Sequence, residues 1–468
     1  MNAAALTAPP DLNNDLLKWM NTTSPCYTSF PSVDRFVEAF SANEYRQALE
    51  QRRCGPAITG RPMSLYVNIP FCETQCYFCN SSTVVTRQHG HAMSYLNLLT
   101  REVALHTAVL GVGQGVNQLH LGGGTPTFFS DAELGDLMQM LRQNFKFLPG
   151  GDYTIEVDPR TVNASRLDAL VALGFNRLSI GVQDLDTVVQ KAVHRVQPAQ
   201  DVAQLFHDAR QRHFDSINVD LMHGLPHQSP ESFKRTLAEV LAWAPDRIAL
   251  YAYEHQPAHF KPQRHISTEA LPSDTARQVI HSNAVAALLS AGYVFVGVDH
   301  FALPTDALAI AKRQGRLHRN FQGFSPQPDC DLIGLGLSAR GRIGACYSQN
   351  AKTLEAYTDR LKQGLFPVVS GIALTRDDLI RRAIIMALMC QGEVSFEAVE
   401  LGYLIDFRHY FAAEFALLAP FVAQGWVVVD EAGIQVTGMG LHGVRAVAMV
   451  FDRYRQADHA RARFSKVI

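Results

Sequence analysis

Charge of either sign, thiols and long apolar runs are all scarce in this 468-residue chain. Lys and Arg number 42 against 44 Asp and Glu, a formal net charge of −2. The broad attraction to polyanions that marks nucleic-acid and anionic-membrane binders is therefore missing. No apolar run approaches the ~18 residues a membrane helix requires, so no membrane partner is expected. The opening MNAAALTAPPDLNNDLL has no basic stretch leading into an apolar core and does not read as a secretory signal. Eight cysteines, most of them scattered, are too few for a disulfide framework, and a cytoplasmic protein is expected. Solenoid-period repeats and low-complexity tracts are absent too. With 47% hydrophobic and 18% charged residues, the chain can still bury a large core.

After an irregular first 60 residues a rhythm begins. β-rich runs recur at 64–70 (SLYVNIP), 116–121, 153–158, 177–182, 216–222, 247–253 and 293–299. Helical patterns such as SYLNLLTREVALHTAVL and SPESFKRTLAEVLAWA fill most of the intervals. This alternation predicts right-handed βαβ units and a parallel sheet. Six or seven successive units favour an α/β fold with a partial or full parallel (β/α) barrel; a doubly wound sheet is the competing arrangement. Beyond about residue 300 the rhythm changes. Helical stretches run from Arg376 to Ala423, and WVVVDEAGIQVT predicts a hairpin turning at Glu431–Gly433. The expected division is an N-terminal arm over the active site (1–60), a barrel (61–305), and a mostly helical, winged-helix-like C-terminal domain (306–468). Nothing basic marks that last domain for DNA, so it is expected to pack on the barrel.

In a parallel barrel the chemistry sits at the carboxyl ends of the strands. Along the seven runs those ends carry the cysteine stretch, Gly122–Thr125, Glu156 with Asp158, Gln183, Asp220, Tyr253 with His255, and Asp299 with His300. Any one of them reads equally well as a polar loop residue, and Asp299–His300 reads best as a structural pair. Seven in succession point to one large polar cavity. A glycine run between strand and helix lets backbone approach a ligand closely.

The stretch FCETQCYFCN places Cys72, Cys76 and Cys79 within eight positions. A structural zinc site normally takes four protein ligands, and His89 or His91 is near enough to supply one. Cys76–Cys79 has the spacing of a redox Cys-x-x-Cys but carries an extra upstream thiol. The third option is a [4Fe–4S] cluster. Three thiolates leave one iron open, which is useful where that iron binds a reactant.

A Cys-x3-Cys-x-aromatic-Cys loop after the first barrel strand resembles the radical S-adenosylmethionine (SAM) superfamily. The stretches LYVNIPFC, HLGGGTPTFF, IEVDPR, GFNRLSIGVQD, NVDLMHGLP, HRNFQGF, GIALTRDDLIRR and FSKVI narrow the resemblance to the oxygen-independent coproporphyrinogen III oxidases (coproporphyrinogen dehydrogenases) over nearly the whole chain. The resemblance implies a radical SAM barrel in which Cys72, Cys76 and Cys79 hold a [4Fe–4S] cluster and its open iron chelates SAM. One electron then cleaves SAM to a 5′-deoxyadenosyl radical. The substrate would be a tetrapyrrole whose two propionates become vinyls, giving protoporphyrinogen IX in anaerobic haem biosynthesis. Two SAM molecules are implied. Tyr66, Gly123 and Glu156 match the first site, with Arg340 near it; Phe78, Gly124, Thr125, Gln183, Arg195 and Asp220 match the second. Catalytic roles fall to the three cysteines, Tyr66 and Glu156. Arg195 suits a SAM carboxylate, and Asp220 a ribose or amine. A reducing protein such as a flavodoxin or ferredoxin, an unidentified electron acceptor and a monomeric state complete the expectation.

Cluster and SAM positions mostly match the family, while positions suited to face the substrate depart from it. Cys26 stands where an arginine is usual, Asn68 replaces a His, Asn80–Ser81 replaces Gly-Cys, and Arg340 falls in a Ser-Ala-Ile-Ser segment. Arg340 and Arg342 are therefore expected to take over part of the propionate recognition. The alternatives are a paralogue acting on another tetrapyrrole, in haem breakdown or C-methylation, and a non-catalytic haem-handling protein.

Overall fold

The computed structural model describes residues 23–55, 61–456 and 465–466. The opening segment and most of the closing FSKVI lie outside the described residues. One twelve-stranded sheet organises the rest. Its centre is β1 (Met63–Ile69), β2 (Gln114–Gly123), β3 (Phe145–Val157), β4 (Arg177–Gln183), β5 (Ser216–His223) and β6 (Arg247–Ala252). These lie side by side in chain order and pair in parallel throughout. A doubly wound sheet would reverse its strand order partway, whereas strands in chain order give crossovers on one side, as in a barrel.

The alternation of residue types explains how each strand is seated. Leu65, Val67, Leu119, Leu121, Ile155, Val157, Ile180, Val219 and Leu221 are buried in the apolar core. The intervening Tyr66, His120, Thr154, Glu156, Ser179, Asn218 and Asp220 form the opposite, polar face. Register brings them into rows: Tyr66 opposite His120 and His120 opposite Thr154; Glu156 opposite Ser179 and Ser179 opposite Asn218. The covering helices start on sequence-coded caps. Ser130 with Glu133 and Ser229 with Ser232 form reciprocal capping boxes for Asp131–Asn144 and Pro230–Ala242.

The barrel is partial. The seventh expected strand exists as β7 (Val294–Gly297), but β8 (His300–Ala302) inserts antiparallel between it and β6. Asp299–His300 thus lies at a tight reversal and not at a strand-to-helix exit. On the other flank, β9 (Leu332–Leu335) pairs in parallel with β1. Three antiparallel strands follow: β10 (Arg340–Ile343), β11 (Cys346–Asn350) and β12 (Val368–Ala373). The expected boundary at 305/306 therefore falls inside a structure that shares one sheet through residue 373.

The N-terminal arm is less irregular than its sequence reads. Ala42–Cys54 is a helix with a capping box from Ser41 and Glu44, and it buries Tyr45, Ala48, Leu49 and Arg52 at helical spacing. Before it, Thr23–Ser24 pairs with Ser465–Lys466, and the Tyr27 hydroxyl donates to Asp452 Oδ2 at 3.0 Å. The C-terminal region has the predicted hairpin, Val427–Val429 with Gly433–Val436. A third strand, Glu393–Ser395, completes a small sheet on one side of it, and helices Arg376–Gln391, Phe396–Tyr403 and Ala412–Ala423 accompany it.

Candidate functional site

Cys72 ends a two-residue strand paired with Val84–Val85, so the intervening loop is tied at both ends beside the carboxyl ends of β1 and β2. Cys72, Cys76 and Cys79 are half-buried and line one cleft of about 190 Å3 together with Phe78, Gly123, Gly124, Thr125, Glu156, Gln183, Arg195 and Asp220. Tyr66 lies on β1 beside this group, its ring 5.7 Å from that of His120. His120 Nε2 in turn lies 2.8 Å from Glu156 Oε1. Arg340, on β10, faces the same neighbourhood, and its electrostatic partner is Tyr66. The two histidines weighed as a fourth metal ligand are engaged elsewhere: His89 with Glu133 at 2.7 Å, and His91 stacked on Phe71 at 6.2 Å.

Burial raises the Cys72 thiol to about 11 and also lifts that of Cys79. Cations balance the third thiol. Arg195 Nη1 lies 3.6 Å and Arg160 Nη2 3.9 Å from Cys76 Sγ. Both guanidiniums also hold Asp158 Oδ2, at 3.0 and 2.6 Å. Burial alone would raise the Asp158 carboxyl, but Arg195 and Arg160 outweigh it and keep it below the usual range. Arg195 Nη2 donates to the Gly181 carbonyl at 2.6 Å. The arginine is thus mainly a strut between strand end, carboxylate and thiol, with its buried Nε left unpartnered.

The donor set fits the expected cofactors. Among the described residues no group of three or more His, Cys, Asp or Glu converges on a single metal ion. A cubane cluster instead asks for thiolates spaced around it, with cations nearby to offset the charge of cluster and thiolates. Glycine is required where the chain packs tightly at this strand end. A Cβ on Gly122 would meet the Glu156 carboxylate at 2.8 Å, and one on Gly124 would meet the Pro70 carbonyl at 2.7 Å. Buried polar atoms without partners remain on Asn68 (Nδ2), Gln183 (Oε1), Arg195 (Nε) and Arg340 (Nε). Unpaired buried polar groups cost stability unless something supplies partners, and a polar cofactor would do so. Asp220 is half-buried and accepts from Ser179 Oγ at 3.1 Å and Asn218 Nδ2 at 2.8 Å. Burial, and next the Glu156 charge, raise its carboxyl to about 6.

Sequence reasoning placed Asp158 at a strand end but missed its two cationic partners: Arg160 stands in the quoted IEVDPR, and Arg195 lies 37 positions beyond Asp158. His120 and Asn218 were legible only as polar residues in alternation with apolar ones. In HRNFQGF, Gln322 Nε2 donates to the Leu65 carbonyl at 2.9 Å, and Phe321 lies under the Arg340 guanidinium at 5.9 Å. That hairpin closes the polar inner face from one side. One expectation is corrected. Arg342 is not available for a propionate, because Nη2 is held by Asp329 Oδ1 at 2.7 Å and by the Cys330 carbonyl at 2.8 Å.

A second cavity, about 470 Å3, opens off the cluster cleft and shares Phe78, Cys79, Ser81, Gln183 and Asp220 with it. Cys26 of the N-terminal arm stands on its lining.

Comparison with known proteins agrees with this geometry. The radical SAM superfamily profile matches residues 66–240, and that of the HemN C-terminal domain matches 374–441. The chain is 44% identical to the oxygen-independent coproporphyrinogen III oxidase of Escherichia coli K12 over 453 residues, covering 97% of this chain and 98% of the relative. The Pseudomonas aeruginosa protein of the same name is 43% identical with the same coverage. The solved structure of the Escherichia coli coproporphyrinogen III oxidase, described as a radical SAM enzyme, superposes with a TM-score of 0.89, covering 95% of this chain and 99% of that one.

Proposed function

The chain belongs to the family of oxygen-independent coproporphyrinogen III oxidases, and from that premise we propose the following division of labour in its cleft. It is a radical SAM oxidoreductase of haem biosynthesis that oxidatively decarboxylates the two propionates of coproporphyrinogen III, giving protoporphyrinogen IX. The observation that carries the reading is the gathering of three thiols and eight matched cofactor residues in one cleft beside a cavity large enough for a bulky organic substrate.

When bound, the cluster and SAM supply a carbon-centred radical that removes one β-hydrogen atom from each propionate; CO2 and one electron then leave to give the vinyl. The residues of the chain do the rest. Cys72, Cys76 and Cys79 hold the cluster, and Arg160 and Arg195 offset negative charge at Cys76. Glu156, oriented by His120 and the Gly123 amide at 3.2 Å, receives the cationic or hydroxylic end of a first SAM next to Tyr66. Arg340 adds a cation on that side. Phe78, Gly124, Thr125, Gln183, Arg195 and Asp220 would hold a second SAM. Asp220, ionised above about pH 6, accepts a ribose hydroxyl or amine. Half-burial of the cleft keeps water from the radical.

The electron donor is a small reducing protein such as a flavodoxin or ferredoxin, and a further acceptor takes the electron released by each decarboxylation. No helix among the described residues is long and apolar enough to cross a membrane. The enzyme acts as a cytoplasmic monomer, with no nucleic-acid partner. The test is anaerobic turnover of coproporphyrinogen III by reconstituted enzyme. CO2 and protoporphyrinogen IX support the reading. Deoxyadenosine without CO2 overturns it in favour of another tetrapyrrole substrate.

A further inference from the structure

The second cavity has a mixed lining. Leu250, Val285, Phe295 and Phe301 give it apolar wall. It adjoins the cluster cleft through Phe78 and Asp220. His223, His281, His442 and Arg445 add nitrogen donors to the lining.

Three segments deliver these donors, one of them supplying both His442 and Arg445. His223 ends β5. His281 sits on helix Asp274–Ser290, one turn after Arg277. His442 lies in the turn Gly440–Gly443, and Arg445 begins the helix that follows. The His223 and His281 rings are 5.2 Å apart, and His281 feels the charges of both His442 and Arg445. His223 is 3% exposed, and its Nδ1 has no partner. Arg277 stands behind, its Nη2 tied to the Tyr253 carbonyl at 2.6 Å. Two carboxyl groups also touch this cavity near the donors. Asp299 is half-buried, and burial holds its carboxyl above the ordinary range against the pull of Arg445 and Arg319. Glu254 accepts from Gln256 Nε2 at 3.1 Å.

Burial keeps the His223 and His281 imidazoles neutral, His281 pushed down to about 3. Their ring N–H groups act as hydrogen-bond donors beside the Arg445 guanidinium, the cation that an anion would meet. A guanidinium offers paired N–H donors that match a carboxylate. A cavity with apolar wall beside such donors fits a bulky apolar body with an anionic arm.

We propose that the His223, His281, His442 and Arg445 wall binds a propionate carboxylate that the reaction leaves intact, and thereby sets which propionates face the cluster cleft. The assignment rests on the tetrapyrrole reading above. In that case Arg445 and the three histidines are substrate-binding residues supplied jointly by the barrel and the C-terminal region. The arm closes over them, with Cys26 Sγ 4.0 Å from Arg445 Nη1.

The test uses full-length, cluster-loaded enzyme under anaerobic conditions. Turnover of coproporphyrinogen III is measured for the parent, Arg445→Gln, His281→Gln and Arg445→Lys, with iron content checked in each. In parallel, binding of coproporphyrin III and of its tetramethyl ester is followed by fluorescence quenching. The expected result is a KM raised roughly tenfold in each Gln variant, with kcat within about threefold, and partial recovery in Arg445→Lys. The parent should prefer the free acid over the ester, and both Gln variants should lose that preference. Unchanged KM and unchanged acid-over-ester preference in both Gln variants would overturn the proposal. A parent that releases no CO2 sinks the decarboxylase reading by itself. The acid-against-ester comparison then still decides whether this wall receives a carboxylate.

Discussion

The two flanks of β1 belong to one sheet and treat polar side chains in opposite ways. On the β2–β6 side every strand runs the same way, so every carboxyl end reaches the same rim. Polar atoms there are left wanting: Asn68 Nδ2, Gln183 Oε1 and Arg195 Nε are buried without partners. On the β9–β12 side three of the four strands are antiparallel, so their ends alternate and no rim accumulates chemistry. Polar groups there satisfy one another. Glu102, on helix Gly90–Leu110, accepts from the Gly336 amide at 2.7 Å, Asn350 Nδ2 at 2.7 Å and the Tyr357 hydroxyl at 2.5 Å. Arg52 pairs with Asp331, and Arg382 donates to the Tyr347 hydroxyl at 2.9 Å. Parallel strands leave hydrogen-bonding capacity for a cofactor; the antiparallel strands consume theirs in holding the sheet. Arg52 and Arg340 each keep an unpartnered buried Nε on this flank, and Arg340 is the one that lies where the two regimes meet.

The largest break in this contrast is Cys76→Ala. Anaerobic reconstitution should give no intact [4Fe–4S] cluster and no SAM cleavage, read by iron and sulfide content and by deoxyadenosine release. The corresponding change at Cys346, on β11, should leave cluster content at the parent level. Next, Glu156→Ala should lower deoxyadenosine formation by roughly 10- to 100-fold with iron content near normal, because it removes a cofactor contact and not a ligand. Equal rates in parent and variant would defeat the placing of the first SAM site.

On the other flank the expected loss is stability. Glu102→Ala leaves three buried donors unpaired and should cost about 3 kcal/mol by denaturant unfolding. The pH dependence has a definite sign. Burial raises the Glu102 carboxyl from its ordinary 4.5 to about 7. Between those values the native state holds a proton that the unfolded chain has lost. Its contribution to stability therefore falls as pH rises from about 4.5 to 7 and is flat above. Parent minus Glu102→Gln should show that slope, and a pH-independent difference would contradict it. The smallest effect belongs to Arg342→Ala. Its partly exposed pair with Asp329 is worth about 1 kcal/mol or less, and coproporphyrinogen turnover should not change.

Local patterning made the parallel half legible. Apolar residues alternate with polar ones along β1 to β5, and polar or glycine residues follow each strand at short range, so both the units and their reactive ends stood in the sequence. The cysteine loop is local as well. The antiparallel half is built from four- to six-residue strands such as RGRI and CYSQN, whose polar composition resembles loop. They become strands by pairing with one another and, through β9, with β1, hundreds of positions away. The same holds for β8, three residues long. The helix Ala42–Cys54 was readable in principle: Ser41 and Glu44 spell a capping box, and Tyr45, Ala48, Leu49 and Arg52 repeat at three to four residues. Its polar majority hid that stripe. The histidine wall was not readable at all, since residues 223, 281, 442 and 445 share no local pattern.

The bond between Tyr27 and Asp452 sets an order of events in the making of the protein. Asp452 is made 425 residues after Tyr27. At ~5–20 residues per second, the six parallel strands are complete well before the acceptor of this bond exists. The later part of the arm can settle sooner, since Val37 pairs with Gly371. The Tyr27 hydroxyl therefore finds its carboxylate only on a sheet already formed.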